Sequence, residues 1–229
     1  HIAVQPPSDA TASEANAAME VEEEKKGVND VVIEKLNETS ANSGITCLDI
    51  DQTENLILTG GNDKKAQIFN RERNKTEKTV QTLAKVESNE VNDDGLILGT
   101  GTNDSVVRIW DVKSQQNVAS FTGHTGRVTS ISFSENGYFL ATASEDNLVK
   151  LWDLRKLSNF HTLTIDEGKI NKVVWDYSGH YLAVGGTDMR IYQSKTWNEL
   201  VVMSENTAEI TDMKFGELAK YLVVGGLDP

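Results

Sequence analysis

Five times along these 229 residues an apolar run gives way to small residues and then to an aspartate. The segments are LILTGGND ending at Asp63, LILGTGTND at Asp104, FLATASED at Asp146, YLAVGGTD at Asp188 and YLVVGGLD at Asp228. Their separations are 41, 42, 42 and 40 residues. Self-similarity at one such period confines a chain to architectures that stack a single supersecondary unit. Ahead of the aspartates lie ITCLDID, VTSISFSE, INKVVWDY and ITDMKFGE, and behind them AQIFN, VVRIWDV, LVKLWDL and MRIYQ. These alternate with period two, the signature of strands, whose successive side chains point to opposite faces. A fourth short stretch, as in NVASFTGH and ELVVMSEN, closes the unit. Four short strands in roughly 40 residues make a propeller blade, so the expected fold is all-β, a β-propeller of about five repeats. The units run at 44–84, 85–124, 125–166, 167–206 and 207–229. VESNEVNDDG, in the second, is a weak first strand, with Asn and Asp where alternation asks for apolar residues.

Residues 1–43 are of another kind. SDATASEANAAMEVEEEKK is rich in Ala, Ser and Glu with little to bury, so this stretch is expected to be an acidic, largely disordered tail or linker. Residues 1–40 hold nine acids and three bases, −6 of the chain's net −13, which leaves −7 for the repeats. An acidic surface repels phosphate backbones, so direct nucleic-acid binding is not expected. No apolar run approaches the ~18 residues of a membrane span, and no basic segment leads into an apolar one as in a secretory signal. The chain starts with His, not Met, and stops one residue after Asp228. It is therefore expected to be a soluble intracellular piece of something longer, whose last unit lacks two strands and whose ring is left with open edges. Its single cysteine, Cys47, lies in the strand-like GITCL and is expected to be a buried core thiol.

No P-loop, dinucleotide fingerprint or Cys/His metal spacing occurs, so neither cofactor, metal nor catalytic residue is expected. GTGTND and GGTD end strands instead of opening helices, which assigns their glycines to turn chemistry. Trp110-Asp111 and Trp152-Asp153 stand at one phase of neighbouring units, with Gly123-His124 at the start of the second. This pattern resembles the WD repeat. The resemblance implies a structural hydrogen-bond chain of His124, Thr142, Asp146 and Trp152, and makes Asp63, Asp104, Asp188 and Asp228 turn residues, not catalytic carboxylates. The chemistry suits burial: the carboxylate accepts from imidazole and turn N–H groups, and the indole N–H donates to the hydroxyl.

GLILGTGTNDSVVRIWDVKSQQNVASFTGHTG, ISFSENGYFLATASEDNLVKLWDLRKLSNFHTL and YLAVGGTDMRIY are more particular. They resemble the propeller of the pre-mRNA-processing factor nineteen family, scaffolds of the spliceosomal NineTeen complex. That resemblance implies a nuclear interaction domain binding NineTeen-complex proteins and ubiquitylation substrates in splicing and DNA repair. The family's full-length chains add a U-box, which makes them ubiquitin ligases, and a tetramerising coiled coil; nothing in this sequence matches either. The family has seven blades, and the junction near Lys85-Val86 is where two are expected to be missing. Positions beside the tight turns, Lys64, Lys65, Arg127 and Asn147, are candidate partner contacts. A different reading takes Trp152–Arg155 as the box by which some WD proteins dock onto cullin ubiquitin ligases, with Arg155 supplying the charge.

Overall fold

The computed structural model describes residues 44–227 except 52–54, 93, 167 and 205–207. The expected acidic tail and Asp228 lie outside the described residues. The first sheet is β1 (Ile45–Ile50), β2 (Leu56–Gly61), β3 (Lys65–Asn70) and β4 (Lys75–Gln81). The second is β5 (Val86–Val91), β6 (Ile97–Thr102), β7 (Val107–Asp111) and β8 (Asn117–Phe121). The third is β9 (Val128–Phe133), β10 (Phe139–Ser144), β11 (Leu148–Asp153) and β12 (Ser158–Thr164). The fourth is β13 (Ile170–Trp175), β14 (Tyr181–Gly186), β15 (Met189–Gln193) and β16 (Glu199–Met203), and β17 (Ile210–Phe215) pairs with β18 (Leu222–Gly226). Each sheet is an antiparallel meander whose neighbours in sequence are neighbours in space, the blade architecture of a WD β-propeller.

The repeat is written into the backbone as well as the side chains. The inner strand slips register after its first residue in every sheet, at Ile45/Cys47, Val86/Ser88, Ile170/Lys172 and Ile210/Asp212, and opposite Ala143/Ser144 in the third. A second slip falls between the third and fourth strands at Ile68/Phe69, Ile109/Trp110, Leu151/Trp152 and Ile191/Tyr192. A bulge adds twist where it occurs, so recurring bulges give every sheet the same twist and let their faces stack. The doubtful VESNEV segment follows the rule: it is β5, paired along its length with β6, with Val86 and Val91 buried.

The apolar core lies between sheets. Leu58, Ile68 and Val80 of the first meet Val91 and Leu98 of the second. Val107, Ile109 and Phe121 meet Val128, Ile131 and Phe133 of the third. Val149 and Leu151 meet Val173, Trp175 and Leu182 of the fourth. Each fully buried side chain of this size contributes about 1.5–3 kcal/mol. The strand-end glycines serve this contact, which corrects their assignment to turns. A Cβ on Gly101 would stand 2.6 Å from Val128 Cγ1 of the next sheet, and one on Gly185 2.6 Å from Met213 Sδ. Both lie inside strands, and their smallness admits the neighbouring blade.

Hydroxyls of the inner strands stitch the sheets together. Ser130 Oγ donates to Val173 O at 3.2 Å and accepts from Val173 N at 3.1 Å, and Ser132 Oγ accepts from Trp175 N at 3.2 Å. Thr46 Oγ1 donates to Val86 O, and Thr129 Oγ1 donates to Ile170 O at 3.2 Å. Cys47 is half-buried on β1, and burial pushes its thiol up to about 12.

Candidate functional site

The third sheet assembles one polar chain from a loop, two strands and a turn. His124, between β8 and β9, places Nδ1 2.9 Å from Asp146 Oδ2 and Nε2 2.8 Å from Thr142 Oγ1. Trp152 Nε1 donates to the same hydroxyl at 2.9 Å. Asp146 also accepts from Thr125 N at 2.9 Å and Leu148 N at 3.0 Å. His124, Thr142 and Trp152 are buried. Burial, outweighing the pull of Asp146, holds His124 below its ordinary value, so the imidazole is neutral. Burial works against Asp146 as well, but hydrogen bonds from Thr125 and His124 keep its carboxyl low. The neutral tautomer that satisfies both neighbours carries its proton on Nδ1, donating to the carboxylate, and accepts the Thr142 hydroxyl at Nε2.

The other sheets close the same turn differently. In the second, Trp110 Nε1 donates to Thr100 Oγ1 at 2.9 Å, but the turn carboxylate is held by an arginine: Arg108 Nη2 lies 2.6 Å from Asp104 Oδ2, and Nη1 donates to Thr102 Oγ1 at 2.8 Å. In the fourth, Arg190 Nη2 lies 2.7 Å from Asp188 Oδ2, and its Nη1 and the Tyr192 hydroxyl both donate to Glu199 Oε2. The first sheet has Phe69 at the tryptophan position, and Asp63 Oδ1 accepts from Lys65 N at 3.2 Å. Arg108 and Arg190 had no place in the sequence reading. Their signal was present, a basic residue two positions before the aromatic in VRIW and MRIY.

Two cavities lie at opposite ends of the inner strands. At the turn end, a cavity of about 410 Å³ is lined by Arg127, Glu145, Asn147, Lys169, Asn171 and Glu209, with Ile170. Two of the candidate contacts, Arg127 and Asn147, therefore meet at one place. Arg127 pairs with Glu145 at 2.6 Å and reaches Glu87 of the second sheet at 3.8 Å. Lys169 lies 3.5 Å from Glu209, which Asn171 Nδ2 also approaches at 2.8 Å. That hydrogen bond, with Lys169, holds the Glu209 carboxyl below its ordinary range. Such a rim of exposed, mutually neutralised charges can exchange partners with a docking protein at small cost. Asn147 takes a left-handed backbone, φ 61°, as do Lys64 and Ser105 at the matching turns. Of the contact candidates, Lys64 sits on the turn of the first sheet and Lys65 opens β3, and neither lines this cavity.

Arg155 is elsewhere again, after β11. Its Nη2 lies 3.0 Å from Asp153 Oδ2, and its guanidinium carbon stands 4.5 Å from the centroid of the Tyr138 ring. Arg155 is more than half exposed, so this pair leaves its charge accessible, whereas Trp152 is buried and committed to Thr142.

A family model for WD domain, G-beta repeat, matches residues 33–70, 115–153 and 158–193. The chain is 54% identical over 142 residues to Pre-mRNA-processing factor 19 of Oryza sativa subsp. japonica, covering 59% of this chain and 27% of that protein. It is 47% identical over 136 residues to the protein of the same name in Homo sapiens, with the same two coverages. It is 49% identical over 144 residues to that of Caenorhabditis elegans, covering 62% of this chain and 29% of the relative. The matched stretch thus spans only about a quarter of the length of these relatives.

Proposed function

We propose that this chain, whose WD-repeat domain is similar to that of Pre-mRNA-processing factor 19, is a protein-interaction scaffold in pre-mRNA processing that receives partners at the two ends of its inner strands. The observation that carries the reading is the Arg127–Lys169 cavity. It gathers side chains from consecutive blades, one of them on the turn where Asn147 is left-handed, and it presents charge in pairs that a partner can re-pair. Strand edges inside a blade are consumed by the meander, so loops and turns are what a propeller has to offer.

The finer reading is that the partners are spliceosomal proteins of the nucleus and that, within a longer ligase, residues 44–229 are the half that recognises ubiquitylation substrates. Full-length chain immobilised in splicing-competent nuclear extract should enrich spliceosomal proteins. An Arg127→Glu, Lys169→Glu double variant should lose about tenfold of that capture, the yield of roughly 1.4 kcal/mol. Equal capture by both proteins, or none by either, overturns the proposal. Cullin docking through Trp152–Arg155 would have to proceed without the buried Trp152 indole, and Arg155→Ala should leave capture unchanged.

A further inference from the structure

The opposite mouth, at the far ends of the inner strands, is a cavity of about 450 Å³ lined by β1, β5, β9, β13 and β17. One residue on its wall is out of keeping with the repeat. Asn89, paired with Thr100, occupies the register slot held by Ile131 on β9, Val173 on β13 and Met213 on β17. Those three are buried apolar side chains, whereas Asn89 brings a primary amide to the same depth, 7% exposed. Among the described residues neither Asn89 Oδ1 nor Nδ2 has a hydrogen-bond partner. Trp175 on β13, also 7% exposed, lines the same cavity, and its Nε1 is likewise unpartnered. Folded proteins leave few buried polar atoms unpaired, yet three of them stand on one cavity wall.

Their chemistry is complementary to a polypeptide. The Asn89 amide offers one acceptor and a donor, which match the N–H and C=O of a peptide unit, and the Trp175 N–H asks for a second carbonyl. The charge of the wall specifies the side chains. Six carboxylates, Glu135 among them, stand against two ammonium groups, Lys172 and Lys214. Lys172 pairs with Asp212 at 2.7 Å, which leaves five carboxylates against Lys214. Val174, half-buried on the same wall, suits the methylenes of a long basic side chain.

We infer that this mouth binds an extended basic segment of a partner protein, with the segment's main chain paired to Asn89 and Trp175 and its arginine or lysine side chains directed at the carboxylates around Glu135. The inference rests on the scaffold reading and gives that scaffold a second, chemically distinct docking point.

The test is fluorescence anisotropy of a labelled octa-arginine peptide with the full chain at low salt. Wild type should bind. Asn89→Val preserves the net charge and fills an apolar slot, and it should weaken binding about tenfold through lost main-chain pairing. Glu135→Gln should weaken it about two- to five-fold, and Glu145→Gln at the other mouth should leave it unchanged. Equal affinity of Asn89→Val and wild type would reduce the attraction to net charge and overturn the proposal. So would a loss caused by Glu145→Gln, or displacement of the peptide by magnesium ion alone at stoichiometric concentration. If Asn89→Val does not fold, the contrast between Glu135→Gln and Glu145→Gln decides. Capture from nuclear extract depends on Arg127 and Lys169 at the opposite mouth, so the two proposals can fail separately.

Discussion

The third sheet and the second solve one problem with opposite chemistry. Both bend between their second and third strands through a turn aspartate, and both anchor a tryptophan indole to a buried threonine. In the third, the carboxylate is tied down by neutral His124 brought from the preceding loop. In the second, where no histidine arrives, the equivalent of Lys150 is Arg108, which pairs with Asp104 from within the strand. The fourth sheet repeats the second's solution with Arg190 and Asp188. The turn is thus the constant, and its counter-group can be a buried neutral network or a partly exposed ion pair. The first is strong where every member is satisfied and costly when one is removed; the second is modest and screened by salt.

The largest effect should come from removing the shared hydroxyl. Thr142→Val strands both Trp152 Nε1 and His124 Nε2 in a buried site and should cost about 2–4 kcal/mol, whereas Thr100→Val strands Trp110 Nε1 alone and should cost about 1–2 kcal/mol. Chemical denaturation of both variants measures the difference, and equal losses would break the distinction between the sheets.

Acidification separates the two solutions next. Because burial holds His124 low, the unfolded chain takes up a proton that the folded sheet refuses. Its contribution is therefore complete above about pH 6.5 and is lost as pH falls below that value toward the lower folded one. His161, lowered by its own burial, adds a slope of the same sign. Thermal melts from about pH 7 to about pH 5 should show a shallower decline for His124→Gln than for wild type. Parallel curves would mean that His124 does not carry the slope.

A smaller effect marks the arginine sheets. Arg108→Lys gives up the forked contact to Asp104 and Thr102 and should cost about 0.5–1 kcal/mol, less as salt rises from about 0.05 M to about 0.5 M. The smallest lies in the turns themselves. Lys64→Gly and Ser105→Gly remove a side chain from left-handed backbone and should stabilise by about 0.5 kcal/mol, while Asn147→Gly, where asparagine already tolerates that conformation, should be close to neutral.

The fold class was legible because a period of 40 to 42 residues carrying period-two alternation admits few architectures. Spacing placed the turn aspartates along the chain but not their partners. Arg108 in VRIW is buried against Asp104 and Thr102, where a basic residue in a strand otherwise reads as solvated surface. The strand-end glycines were read as turns because smallness and flexibility look alike in a sequence, and only the approach of Val128 and Met213 tells them apart. Asn89 stood out as a flaw in VESNEV. What the sequence could not show is that its amide, and the indole of Trp175 more than 80 residues later, face one cavity.

The hydroxyl stitches between sheets have a consequence for how the chain is made. The hydrogen bonds of Thr46, Thr129, Ser130 and Ser132 reach 40 to 43 residues along the chain, one repeat and no more. At about 5–20 residues per second of synthesis, a ribosome delivers one such unit every few seconds. Each newly emerged sheet therefore meets its stitching partner in the unit delivered immediately before it. The protein can be laid down blade upon blade, each bonded to its predecessor and none waiting for a distant part of the chain.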